Sequence, residues 1–167
     1  AAEPERALAS LEPCLQALGD KLVDNKKLDS TCNTLGFGLA KSQNALIAKL
    51  VHKHLDKKQL TKTASAFGFG KAPDFALDSE ANRMMLPDDE LEFARVAAGF
   101  WSTELSPLGG AVVANTIASG GFEVTPRIVR EVRETDRVVP IVGPGPNRVL
   151  SEATAKSVAD MMSGTIR

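Results

Sequence analysis

The sequence has no tyrosine, one tryptophan (Trp101), two cysteines and two histidines. With so few aromatic rings that also carry a polar tip, a stacking platform for sugars or bases is not expected. There is no Cys-x-x-Cys pair. His52 and His54 stand two apart, so on a helix they face directions roughly 200° apart and cannot grip one metal together. Cys14 and Cys32 read either as two buried thiols or, in an extracytoplasmic setting, as a disulfide. Charge of one sign is lacking too: 20 Lys plus Arg balance 21 Asp plus Glu, for a net charge of -1. That removes the electrostatic footprint of a nucleic-acid or anionic-membrane binder. No apolar run reaches the roughly 18 residues that a transmembrane helix needs, and Ala1–Arg6 has neither the basic start nor the apolar stretch of a secretory signal. No serine is followed three places later by lysine, and no Gly-x-Ser-x-Gly elbow is present, so the local signatures of an activated serine are absent.

What remains is a chain of 167 residues, 43% hydrophobic and 25% charged, enough for one domain with a core of its own. Apolar residues three and four apart predict a helix over residues 5–22, divided by Pro13. Residues 23–30 form a polar connection. Ser42 is expected to cap the next helix, whose stripe is Leu46, Ile47, Leu50, Val51 and Leu55; Lys49, Lys53 and Lys57 fall elsewhere, towards its C-terminal end. A shorter helix follows from Lys58 to about Ala66 and stops at Gly68-Phe69-Gly70. Residues 71–87 read as a loop. Asp88, Asp89 and Glu90 then open a helix that ends at Gly99. Ser106-Pro107 starts an almost wholly apolar helix, expected to be buried, that ends at Gly120-Gly121. Beyond it the period changes, and residues 127–133 and 137–142 predict two strands. Residues 143–147 form a turn, and a last helix from Ser151 turns Ala155, Val158, Met161 and Met162 inward. The fold class is α+β with a dominant helical part.

Each candidate site competes with a plainer explanation. The stretch from His52 to Lys58 reads as a solvated helix face. Gly68-Phe69-Gly70-Lys71 lacks most of a phosphate loop and reads as a helix stop. Asp88, Asp89, Glu90 and Glu92 are explained by the dipole of the helix they open, and Met84-Met85 and Met161-Met162 by core filling. No cofactor is implied. Ser42-Gln43-Asn44 stands out more, because a serine hydroxyl at a helix start can relay a proton and an Asn amide offers a donor and an acceptor to a substrate amide.

The surroundings of that triplet resemble a known family. Residues 36–70 are similar to the Ser-x-Asn region of penicillin-binding protein transpeptidases, with a helix after the triplet, a second helix and a Phe67-Gly68-Phe69-Gly70 stop. Residues 91–132 resemble the same family through Ala98-Gly99-Phe100, the helix start Leu105-Ser106-Pro107-Leu108, the small-residue helix ending at Gly120-Gly121, and Pro126-Arg127-Ile128-Val129. Residues 149–165 resemble the helix that leads to the family's Lys-Thr-Gly strand. The resemblance spans residues 28–167, is nearest to class A-like enzymes, and leaves 1–27 as a helical segment of weaker match. It implies the helical subdomain of a serine transpeptidase/β-lactamase-like fold with most of its sheet missing. The implied activity is acylation of a serine by the D-Ala-D-Ala end of peptidoglycan stem peptides, with transfer to an amine; β-lactams are the mimics that trap the acyl-enzyme. It also implies a periplasmic location, or the outer face of a bacterial cytoplasmic membrane. By this resemblance Ser42 is a proton shuttle and Asn44 holds the substrate amide. Thr31-Cys32-Asn33 is a rival hydroxyl-x-Asn triplet; Ser42 is preferred because a helix follows it directly. The family's Ser-x-x-Lys and Lys-Thr-Gly are absent, so the chain reads as an internal piece, inactive alone, or as an inactive homologue acting as a helical interaction module. A nucleotide or metal binder resting on Gly68–Lys71 or the histidines is a third class.

Overall fold

A computed structural model describes residues 34–99 and 102–166. The expected helix over 5–22, both cysteines, the triplet Thr31-Cys32-Asn33 and Trp101 lie outside the described residues. Six α-helices and six short strands follow one another: α1 (Leu35–Ala40), α2 (Asn44–His54), α3 (Lys57–Ala66), β1 (Arg83–Met84), α4 (Glu90–Ala97), β2 (Thr103–Glu104), α5 (Pro107–Ala118), β3 (Phe122–Glu123), β4 (Glu131–Arg133), β5 (Val138–Pro140), β6 (Asn147–Arg148) and α6 (Glu152–Ser163), with a 3-10 turn at Gly164–Ile166. The strands form three antiparallel two-stranded ladders, β1 with β2, β3 with β6 and β4 with β5. The α+β class with a dominant helical part holds. The two expected strands are there as the hairpin β4–β5, shorter than expected, with Val132 opposite Val139.

Helix boundaries follow local chemistry. Asp56 closes a full capping box on α3: its carboxylate accepts from the Gln59 N–H while the Gln59 side chain accepts from the Asp56 N–H. Asp89 caps α4 and Ser151 caps α6. On α5 the cap is Ser106, with Pro107 at the first helical position, where a missing N–H costs nothing. Helix α2 packs on α4, α1 on α2 and α6, and α5 on α6 and β3. Leu46, Ala48 and Val51 on α2 and Phe93, Ala94 and Val96 on α4 are buried, with Ala48 and Ala94 packed together, and Val112 on α5 and Ala155 on α6 are buried too.

Several expectations need correction. Helix α1 was not foreseen: six residues show no periodicity, and Gly36 and Gly38 argue against a helix. It forms because Thr34 caps it, accepting from the Phe37 N–H at 3.2 Å, and because Gly38 has no side chain: a Cβ there would lie 2.8 Å from both Leu46 methyls. Lys49, assigned off the apolar stripe, is 3% exposed and faces the core. Leu55, Met85 and Met162 are exposed rather than inward. Helix α5 is not buried all round: Gly109, Val112 and Thr116 are buried, whereas Ala111, Ala114 and Ala118 are exposed. Its outer face carries small side chains with the polar Asn115 among them, so its composition overstated its burial.

Between the start of α3 and the start of α4, Lys57 donates to the Asp88 carboxylate. That hydrogen bond first, and the lysine charge second, hold the Asp88 carboxyl below its ordinary 3.8. A depressed carboxylate stabilises the fold above its unfolded value and loses that contribution as pH falls through the folded one. Asp88 is fully exposed, so the effect is small and screened by salt. Asp88→Asn should therefore shift the urea midpoint slightly at pH 6 and not at all at pH 2, with the difference shrinking in 0.5 M NaCl.

Candidate functional site

The sequence singled out Ser42 and Asn44, and they lie at the turn between α1 and α2. Ser42 does not cap α2. The cap position belongs to Gln43, which makes no side-chain cap hydrogen bond, and Asn44 is the first helical residue. The cause is the way α1 ends. The Gln43 N–H donates to the Gly38 carbonyl at 2.7 Å and the Ser42 N–H to the Leu39 carbonyl at 3.1 Å. This is the paired closure of a Schellman motif, and it requires the residue after the helix end to turn left-handed. That residue is Ser42, with φ +53, the one non-glycine at positive φ among the described residues. The ends of α3, α4 and α5 place Gly68, Gly99 and Gly120 at the equivalent position. Ser42 is thus exposed on a strained turn, next to the half-buried Asn44.

A cavity lies elsewhere. It encloses about 560 Å³ between the end of α3, the following loop, the first turn of α5 and the β3–β6 ladder; Ser42 and Asn44 do not line it. Its floor includes Asn82, which is 2% exposed. The Asn82 side-chain oxygen accepts from the Ser106 N–H at 3.0 Å and from the Ser106 hydroxyl at 3.1 Å. Its backbone carbonyl accepts from the Gly70 N–H at 2.9 Å. The amide lies flat on Gly109, where any Cβ would collide with it. Asn82 was not anticipated, because a polar residue within a polar loop carries no burial signal. The one available hint was Gly109, a glycine inside a helix, which marks a close approach. Gly68, read with Lys71 as part of a helix stop, does follow the end of α3, and both residues line this cavity. Asp88, Asp89 and Glu90 stand at the start of α4 as expected, and His52 approaches Glu90 at 3.9 Å.

With this geometry described, comparison with known proteins identifies the fold. The sequence model of the penicillin binding protein transpeptidase domain matches residues 15–165. The chain belongs to the penicillin-binding protein transpeptidase family. Solved structures agree on the fold. Penicillin-binding protein 3 from Mycobacterium tuberculosis, complexed with aztreonam, matches with a TM-score of 0.76 at 21% identity, over 98% of this chain and 38% of that one. The imipenem acyl-enzyme of penicillin-binding protein A from M. tuberculosis matches with a TM-score of 0.72 at 22% identity, over 89% and 32%. The D,D-transpeptidase domain of a peptidoglycan glycosyltransferase from Eggerthella lenta matches with a TM-score of 0.75 at 23% identity, over 97% and 45%. No curated protein sequence matches. The chain spans less than half the length of these solved transpeptidases. Among its described residues, no helix is long and apolar enough to cross a membrane.

The Ser42 turn and the cavity over Asn82 are built from different elements: the turn joins α1 to α2, whereas the cavity is lined by the end of α3, the loop after it, α5 and the β3–β6 ladder.

Proposed function

We propose that this chain supplies the Ser-x-Asn wall of a peptidoglycan D,D-transpeptidase that works through a serine acyl-enzyme and is trapped by β-lactams. In this reading Ser42 relays a proton at the reacting amine and Asn44 holds the side-chain amide of the stem peptide. The observation that carries it is the turn at Ser42. A left-handed, non-glycine residue costs roughly 1 kcal/mol, and three neighbouring helix ends avoid that cost with glycine. A serine kept where glycine would be cheaper is the kind of strain that accumulates at functional sites. The setting is the periplasm or the outer face of a bacterial cytoplasmic membrane, and the partners are stem peptides ending in D-Ala-D-Ala. This reading requires an acylated serine and a Lys-Thr-Gly strand, and neither motif occurs in these 167 residues.

A second reading places the element at Thr31-Cys32-Asn33. The observation in its favour is α1 itself. Ser42 was preferred because a helix follows it directly, but α1 starts at Leu35, immediately after its cap Thr34 and the triplet before that cap. The criterion that separated the two triplets now fits both.

The experiment is an intact mass of the 167-residue chain before and after incubation with a penicillin. Nucleophile, base and anion site act as a unit, so no adduct is expected on this chain. A stoichiometric adduct would mean that the nucleophile lies within it, and the proposal would fall.

A further inference from the structure

The cavity over Asn82 has the marks of a built site. It lies where four segments meet, as small-molecule sites commonly do, and its volume is within their usual range. Pro73, Pro126 and Pro144 stand in its rim, and their fixed φ angles reduce the ordering that binding would otherwise require. The floor is a buried amide held from two sides, by Ser106 and Gly70. Both Ser106 groups approach the oxygen of that amide, while its nitrogen makes no hydrogen bond among the described residues. A donor is therefore left over at the cavity floor. The charged lining is Asp74, Glu123 and Lys71, which make no ion pair among the described residues. Two carboxylates against one ammonium leave the cavity net negative. Glu123 is half-buried on β3, and a carboxylate partly removed from water without a partner is costly.

From this juxtaposition we propose that the cavity binds a small ligand carrying a primary ammonium with a carbonyl oxygen beside it, the chemistry of an amino-acid amide or a peptide N-terminus. The ammonium pairs with Glu123, assisted by Asp74, and the carbonyl accepts from the free Asn82 amide nitrogen. Lys71 attracts anions, but the two carboxylates outweigh it, so a simple anion is not the ligand. The site is separate from the Ser42 turn and does not depend on the transpeptidase reading.

The test titrates the 167-residue protein with alaninamide, followed by backbone amide chemical shifts. Propionamide, which lacks the ammonium, serves as the comparison. Saturable shifts at cavity residues with a dissociation constant on the order of millimolar are expected, with none from propionamide. Glu123→Gln, nearly isosteric and checked for fold by circular dichroism, should weaken binding roughly tenfold. Lys71→Gln should strengthen it on the order of twofold by removing a like charge. Absence of saturable shifts, equal binding of propionamide, unchanged affinity in Glu123→Gln, or weaker affinity in Lys71→Gln would each overturn the proposal. None of these outcomes bears on acylation by penicillin, so the two proposals fail separately.

Discussion

Gly121→Ala is expected to destabilise the protein by about 3 kcal/mol, summing a left-handed backbone with a buried collision. Gly121 follows the end of α5 with φ +90, a conformation that a Cβ makes unfavourable. It is also buried against the chain returning from β6. A Cβ at that point would overlap the Leu150 carbonyl oxygen, with the carbonyl carbon at 2.9 Å and the Leu150 Cβ at 3.0 Å. The first two are backbone atoms, and the Cβ is fixed to that backbone, so none can swing aside. Their positions are fixed in turn by two hydrogen bonds to the Gly121 carbonyl, from the Val149 N–H at 2.8 Å and the Leu150 N–H at 3.1 Å. Arg148 adds a clasp, donating to the Leu150 carbonyl at 2.9 Å and lying 3.9 Å above the Phe122 ring. The substitution therefore loosens the junction of α5, the β3–β6 ladder and α6 at once. Urea unfolding followed by far-UV circular dichroism would measure it. A loss below 1 kcal/mol would show that this junction yields more easily than its geometry implies.

Much of this fold was legible in the sequence because the helix signals are local. Ser106-Pro107, Asp89 and Ser151 start their helices where a short polar side chain can reach a free N–H, and Gly68, Gly99 and Gly120 stop them where the chain must turn left-handed. The features that escaped are set by contacts distant in sequence. Helix α1 depends on Gly38 beneath Leu46. The strands β1, β2, β3 and β6 are two residues each, too short for any alternation to show, and exist through their partners. Lys49 has the sequence signature of a surface residue and a buried position. The candidate site divides the same way. Ser42 and Asn44 were singled out because a triplet before a helix is a local pattern. The cap role given to Ser42 was wrong because the end of α1, unseen in sequence, takes over the backbone at that residue. Asn82 was missed because its burial depends on Gly109 and Ser106, more than twenty residues away.

In the proposed reading one residue is decisive, and the expected effect is large. Asn44→Ala, in the complete transpeptidase domain that supplies the nucleophilic serine, should slow acylation by penicillin roughly a hundredfold, the usual cost of removing one pre-organised hydrogen-bond group from a reacting centre. Ser42→Gly provides the complementary signature. By relieving the left-handed strain it should stabilise the fold by about 1 kcal/mol, yet slow acylation if its hydroxyl relays the proton as proposed. A residue with a purely structural role would show the first effect without the second. Asn33→Ala, assayed beside them, addresses the rival triplet. The measurement to make is thus the second-order rate of penicillin acylation for the wild-type domain, Asn44→Ala and Asn33→Ala, each confirmed folded. The Ser42 reading predicts a roughly hundredfold loss in Asn44→Ala and a near-normal rate in Asn33→Ala. A normal rate in Asn44→Ala with a collapse in Asn33→Ala would contradict it and move the Ser-x-Asn function to Thr31-Cys32-Asn33.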